Sequence, residues 1–175
     1  MGFNCNIVLQ DLDINCSKRN AGGIKKAILM LQEDLSITVD PTDETIVDWV
    51  ETANEVVFSH NSKDATTVFT ENKITTNGLG VVKTDITIQA PSVDRKINLL
   101  DYMSRREDIV CILLHNNDSV TISGWLDGLT MNYDSSSGTG VSEKSYVNIK
   151  LTTESAMSSL VCDDKSAFSN QTMFE

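Results

Sequence analysis

Residues 81–155 constrain this chain more than any other stretch. Over 81–90 the pattern alternates: Val82, Thr84, Ile86 and Ile88 fall on one side, and Lys83, Asp85, Thr87 and Gln89 on the other. A period of two over that length is a strand with one buried face. Pro91-Ser92 ends it, with Ser92 placed as an N-cap. Val93, Ile97, Leu100 and Met103 then recur at helical spacing and predict an amphipathic helix over 93–107. Asp94 suits its first turn, Arg105-Arg106 its last, and Asp101 can pair with Arg105 one turn on. After it, 109–115 reads as a strand buried on both faces, 116–119 as a hairpin turn, 120–126 as the return strand and Asp127-Gly128 as a bend. Residues 134–140 read as a Ser/Gly loop, and 146–152 alternates again with Val147, Ile149 and Leu151 inward. This order predicts a mainly β chain of α+β type with one amphipathic helix.

Upstream the signals are weaker. Residues 1–23 read as a short strand or extended arm that ends at Gly22-Gly23. The run 24–31 suits a strand, with a helix as the competing reading; the double glycine before it and Asp40-Pro41 after it favour the strand. Residues 36–39 and 55–59 read as strands, and 45–50 as a strand or one helical turn. Between 60 and 80 the chain is polar, with Val68, Phe69, Ile74 and Leu79 as its only large apolar residues. Two weak strands bracketing turns at 61–64 and 76–80 predict a long hairpin that projects from the body. The tail from 156 is polar, ends in Met173-Phe174-Glu175 and is expected to order only against a neighbour. The reading is one domain over 1–155, with an arm at 1–23, followed by a tail over 156–175; there are no internal repeats and no heptads.

The net charge of −11 is the global outlier. It disfavours direct phosphate binding, because no Lys/Arg surplus exists to release counterions. Solubility is the plain use of such charge, and a surface past which a polyanion slides is the sharper one. The N-terminus lacks a basic, apolar export signal, and no segment has the apolar length of a membrane span. Gly2 lacks the Ser or Thr at position 6 that myristoylation needs. The sequons at Asn15, Asn117 and Asn170 are then chance matches, and Cys5, Cys16, Cys111 and Cys162 are expected to be free thiols, with a Cys5–Cys16 bridge as the lesser reading.

No catalytic, cofactor or metal constellation emerges, and the chain is read as a non-enzyme. Cys111 and His115 share one strand face at i,i+4, roughly 13 Å apart, too far for a dyad. His60 and His115 read as surface histidines. Asp11-Leu12-Asp13-Ile14-Asn15 mimics a calcium loop but has Cys16 where glycine is required and Gly22 in place of the closing glutamate. The glycines at 78 and 80 and at 138 and 140 open no helix and read as turn residues. Trp49 and Trp125 read as core or interface anchors, and the acids around Trp49 as a solvated face.

Two parts of the sequence carry a resemblance. One is Asn20-Ala21-Gly22-Gly23-Ile24-Lys25 followed by an apolar strand. The other is the strand, helix, strand, Asn/Asp turn, strand to Gly128, Ser/Gly/Thr loop and terminal Tyr146-Val147-Asn148-Ile149-Lys150-Leu151. Together they resemble tail-tube-type structural proteins of tailed bacteriophages, especially crAss-like and related gut phages, over roughly two thirds of the chain. The resemblance implies a tail-tube-like β-sandwich or barrel with one packed helix (about 93–107), plus a long hairpin that extends a neighbour's sheet. It implies a virion protein, assembled in the host cytoplasm, that closes with itself into a ring (a hexamer first, a dodecamer second) beside other tail or connector proteins. The ring would be a tube, collar or hub with an acidic conduit through which DNA passes unbound. The implied assembly segments are 60–80, 134–140 and the termini, with Val68, Phe69, Ile74, Leu79, Tyr133, Met173 and Phe174 as candidate interface residues. The alternatives are a virion sandwich for receptor or glycan binding or for decoration, and, less favoured, a hydrolase with dispersed carboxylates.

Overall fold

The all-apolar run Ile109–His115 organises the molecule: as strand β7 it is buried along both faces up to His115. A computed structural model describes residues 23–39, 46–51, 56–59, 66–76, 79–91, 97–136 and 146–162. Among them, β1 (Ile24–Leu31), β4 (Val56–Ser59), β7, β8 (Val120–Ser123) and β11 (Leu160–Cys162) form a five-stranded sheet in the order β11-β8-β7-β1-β4. A second sheet holds β5 (Thr66–Thr76), β6 (Leu79–Pro91), β10 (Tyr146–Ser155) and β9 (Thr130–Ser136), in the order β5-β6-β10-β9. The strands β2 (Leu35–Val39) and β3 (Ile46–Glu51) pair as a ribbon, entered through a 3-10 turn at Gln32–Asp34. Every pairing is antiparallel. The helix α1 (Ile97–Met103) is the one α-helix among the described residues.

The main core lies between the two sheets. Ala27, Leu29, Cys111 and Leu113 meet Ile86, Ile88, Ile149 and Leu151, and α1 adds Leu100 and Met103. These inward residues of β6 and β10 are the ones their alternation predicts, and Val82, Thr84 and Ala90 complete the buried face of β6. The far face of the five-stranded sheet is also buried, through Ile28, Met30, Ile112, Val120 and Leu160, with Leu35 and Trp125 packed on it. Burial pushes the Cys111 thiol well above its ordinary pKa, so it serves as a packing group.

Four boundaries differ from the sequence reading, each for a local reason. The helix ends at Met103 instead of 107: the Arg105 and Arg106 amides bond to the carbonyls three residues back, and the Ser104 hydroxyl donates to the Asp101 carbonyl at 2.9 Å. Its start at 93–96 lies outside the described residues. The Asp101–Arg105 pair forms at 2.7 Å. Arg106, past the helix, instead donates to both carboxylate oxygens of Asp108 and to the Tyr102 hydroxyl, and holds the Asp108 carboxyl below its usual range. The strand after the 116–119 turn stops at Ser123, because Gly124 turns out of the sheet at φ +77°. Residues 134–136 belong to β9, paired as far as Ser136↔Tyr146. The segment read as a polar tail carries β11, which adds a margin to the sheet through Leu160↔Ile122.

The 60–80 segment is more regular than expected. One eleven-residue strand replaces two weak ones, since β-branched Thr66, Thr67, Val68 and Thr70 favour extended backbone without apolar alternation. It forms a hairpin with β6, and Thr76↔Leu79 is the last pair. Only the end of this hairpin projects, because β10 accompanies β6 down to Val82↔Ser155. The turns at 61–64 and 77–78 lie outside the described residues, as do the 1–22 arm, Cys5, Cys16, the Asp11–Asn15 acids and His60.

His115 closes the 116–119 turn, half-buried, with its Nε2 at 2.8 Å from the Thr121 hydroxyl. Burial lowers its pKa, so the fold accepts the neutral ring. That stability is complete above the unfolded value of about 6.5 and is lost as pH falls through the depressed folded value. Urea midpoints should therefore drop between pH 7.5 and 5.5, a range above ordinary carboxylate titration, and His115→Gln should flatten the difference.

Candidate assembly interface

Four of the candidate interface residues, Val68, Phe69, Ile74 and Tyr133, lie on the margin strands of the four-stranded sheet. On β5 the even-numbered side chains face outward and the odd ones toward the core, because Phe69 stands opposite Ile86 and Val68 opposite Thr87. Val68 is 59 % exposed and Ile74 43 % exposed, both large apolar groups on the outward face of a margin strand. Phe69 is half-buried against the sandwich core. Tyr133 is its counterpart: it lies on β9, opposite Ile149, half-buried against the same core at the other margin. Leu79 opens β6 at the hairpin end, opposite Thr76; its side chain is outside the described residues, as are Met173 and Phe174 altogether.

Among the described residues, β5 pairs only with β6, and β9 only with β10. A margin strand of eleven residues with two exposed apolar side chains is a pairing template. Its two charges are placed out of the way. Glu71 points inward, where its carboxylate accepts from the Ser159 amide at 2.8 Å and from the Thr84 hydroxyl at 3.4 Å. Lys73 sits near the hairpin end beside Gly80. The structural role of Glu71 has no sequence signal beyond a charge at an inward strand position.

The outward face between the margins is polar. It presents Lys83, Asp85 and Thr87 of β6, Asn148, Lys150 and Glu154 of β10, and Thr130, Asn132 and Asp134 of β9. Thr130 donates to the Thr152 carbonyl at 3.0 Å, and Asn148 to Asp134 at 3.4 Å. An open groove of about 400 Å³ runs over this face, with Asp85, Glu107, Asp127 and Glu154 interleaved with Lys83 and Lys150. Lys83 stands directly opposite Glu154, so the carboxylates are offset by neighbouring ammonium groups. No grouping of three metal-binding side chains occurs among the described residues.

The remaining sequence candidates are spread apart. Cys111 is sealed in the core while His115 bonds Thr121. Trp125 packs on the far-face core and donates from Nε1 to the Ser158 carbonyl at 3.3 Å. Trp49 lies on β3, and its side chain is outside the described residues. Among the described residues, no helix is long and apolar enough to cross a membrane. Comparison with protein-family models, with curated proteins and with solved structures yields no match for this chain.

Proposed function

We propose that this chain is a virion structural protein, the subunit of a closed ring in a bacteriophage tail, with no catalysis of its own. The observation that carries the reading is a four-stranded sheet whose margin strands have no second strand partner among the described residues, one of them the eleven-residue β5 bearing exposed Val68 and Ile74. Strand parity supports a head-to-tail contact. Four strands, each antiparallel to the next, leave β5 and β9 running in opposite directions. A copy rotated about a ring axis then presents its β9 antiparallel to β5, and repetition closes a ring. The five-stranded sheet is less suited: its margins run the same way, and β11 and β4 span only three and four residues.

The outward face of the four-stranded sheet is the proposed wall of the conduit. Its carboxylates Asp85, Asp134 and Glu154 outnumber Lys83 and Lys150 by one, an excess that copy number multiplies. Such a wall has no cation surplus with which to hold phosphate, so DNA slides past.

Light scattering with negative-stain microscopy on purified protein tests this. Rings or tubes should appear as concentration rises. The double variant Val68→Glu/Ile74→Glu should lower the assembled fraction, while its melting temperature stays near wild type because both positions are exposed (about ±0.5 kcal/mol each). A monomer at every concentration overturns the reading.

A further inference from the structure

We infer that residues 156–162 form a strap that opens as one unit below the free energy of global unfolding, and that the Glu71 carboxylate is its catch. The inference concerns a single chain and does not depend on the ring reading. The chain leaves the four-stranded sheet at Ser155 and enters the five-stranded sheet at Leu160, so the short turn 156–159 ties the two layers together. Ala156, Met157 and Ser158 on that turn are exposed. Beyond it, Leu160–Cys162 makes three cross-strand pairs with β8. Leu160 and Cys162 enter the far-face cluster, while Val161 stays half exposed. A segment with so short a ladder and so much of its turn in water opens at less cost than the sheets it joins. Its opening bares Val120 and Ile122 of β8, which the strap covers.

Side chains from several elements hold the turn. The Ser159 amide donates to Glu71 of β5 at 2.8 Å, and the same carboxylate oxygen accepts from Thr84 of β6 at 3.4 Å. The Ser159 hydroxyl lies 2.8 Å from that of Ser123 on β8. The Trp125 indole donates to the Ser158 carbonyl at 3.3 Å. At the root of the turn the Ser155 hydroxyl donates to Asp127 at 2.5 Å and accepts from the Met157 amide at 3.3 Å. The Ser155–Asp127 bond is charge-assisted but exposed, and it lies outside the strap. Of the bonds that must break for the strap to leave, the one to Glu71 is charge-assisted and part-buried, so it is the strongest. Ser159 directly precedes Leu160, so releasing its amide releases the strand with it. Glu71 itself stands where β5 departs from the body: the next residues, Asn72 to Thr75, are exposed. The strap and the end of the hairpin are thereby joined through one carboxylate.

Two buried thiols report the opening. Cys162 lies in the strap, and Cys111 lies in the core between the sheets on β7, paired with Leu29 on one side and Ser123 on the other. In a Cys5→Ser/Cys16→Ser background, alkylation by iodoacetamide is followed at each thiol by peptide mass as urea rises below the unfolding transition. The expected result is that Cys162 reacts at least about 100-fold faster than Cys111 and with a weaker dependence on urea, because strap opening exposes less surface than unfolding. Ile149→Val, in the core between the sheets, should speed Cys111 about fivefold and leave Cys162 within about twofold, since that core stays packed when the strap opens. Glu71→Ala should speed both thiols about tenfold or more, because the bond is missing from the open strap and from the unfolded chain alike. Glu71→Gln keeps an acceptor oxygen and should recover most of that change. Equal rates at the two thiols, or an Ile149→Val effect on both, mean that the segment opens only with the whole fold and overturn the strap; neither comparison needs a substitution at Glu71. A Cys162 rate unmoved by Glu71→Ala overturns the catch. A Cys162 rate that falls as protein concentration rises assigns its exposure to separation of copies, which overturns the inference and leaves the ring reading standing.

Discussion

Replacing Gly128 with alanine should destabilise the protein by about 3 kcal/mol or more, a fall in melting temperature of roughly 6–12 °C for a chain of this size. The glycine is buried at φ +75°, a backbone conformation that costs a residue with a side chain about 1–2 kcal/mol before any contact is counted. The contact is the larger effect. A Cβ at this position would stand 2.1 Å from the Glu107 carbonyl oxygen and 2.8 Å from the Asp108 Cα. Both neighbours are backbone and cannot swing aside. Their segment is held by the Gln32 amide bonded to the Asp108 carbonyl at 2.8 Å and by the Leu129 amide bonded to the Ile109 carbonyl at 2.8 Å. Accommodating a methyl group strains both bonds at the start of β7, the strand that every core layer touches. The turn itself is braced: the Gly128 amide donates to the Gly124 carbonyl, and the Gln32 side-chain amide reaches the carbonyls of Gly124, Trp125 and Leu126. Gly80→Ala is the matched control. It has no positive φ, and the nearest atom is the end of the flexible Lys73 side chain at 3.2 Å, so its melting temperature should stay within about 2 °C of wild type. Thermal unfolding followed by circular dichroism checks both. A Gly128→Ala loss below about 1 kcal/mol would mean that the 107–109 segment yields, contrary to its bonding.

The same residues show what a sequence can disclose here. β6 and β10 were legible because each has one face against the core, which writes a period of two into Val82–Ile88 and Val147–Leu151. β7 was legible for the opposite reason, since a strand buried on both faces has no polar residue before its end. β5 was only half visible. Its outward face meets solvent and its edge lacks a partner among the described residues, so alternation gives way to threonines and only β-branching marks it. The three residues of β11 carried no signal, because what makes Leu160–Cys162 a strand is β8, far away in the chain. The end of α1 depended on the Ser104 hydroxyl and on Arg106 choosing Asp108, contacts that periodicity does not encode. Of the candidate site, Phe69 and Tyr133 were identifiable as unusual apolar residues in polar segments. That they stand at opposite margins of one sheet is a property of the strand order β5-β6-β10-β9, which pattern alone does not fix.

Ile112→Ala should cost about 2–5 kcal/mol, as much as Leu113→Ala beside it. The two residues are neighbours on β7 that point to opposite faces, and they decide whether the five-stranded sheet is one wall of a two-layer sandwich or the middle of a thicker body. Leu113 belongs to the core between the sheets, and a cavity there is costly in either case. Ile112 faces away from the second sheet. In a two-layer protein it would meet solvent, and its truncation would cost about 1 kcal/mol or less. Instead it is fully buried with Ile28, Met30, Val120 and Leu160, and Leu35 and Trp125 pack on the same cluster. The surrounding strands are fixed by pairing on both sides (Ile28↔Ile112 and Ile112↔Ile122), so they cannot close over the space an alanine leaves. The lost contact and the residual cavity therefore add. Urea denaturation of both variants at pH 7.5 makes the comparison, with the slope of the transition showing that each still unfolds as one unit. Matching losses mean that the far face is a packed layer, built in part by the Leu160–Cys162 strand that the sequence alone assigned to a polar tail. An Ile112→Ala loss under about 1 kcal/mol, beside a Leu113→Ala loss of about 3, would mean that this layer contributes little and that the fold stands on the inter-sheet core alone.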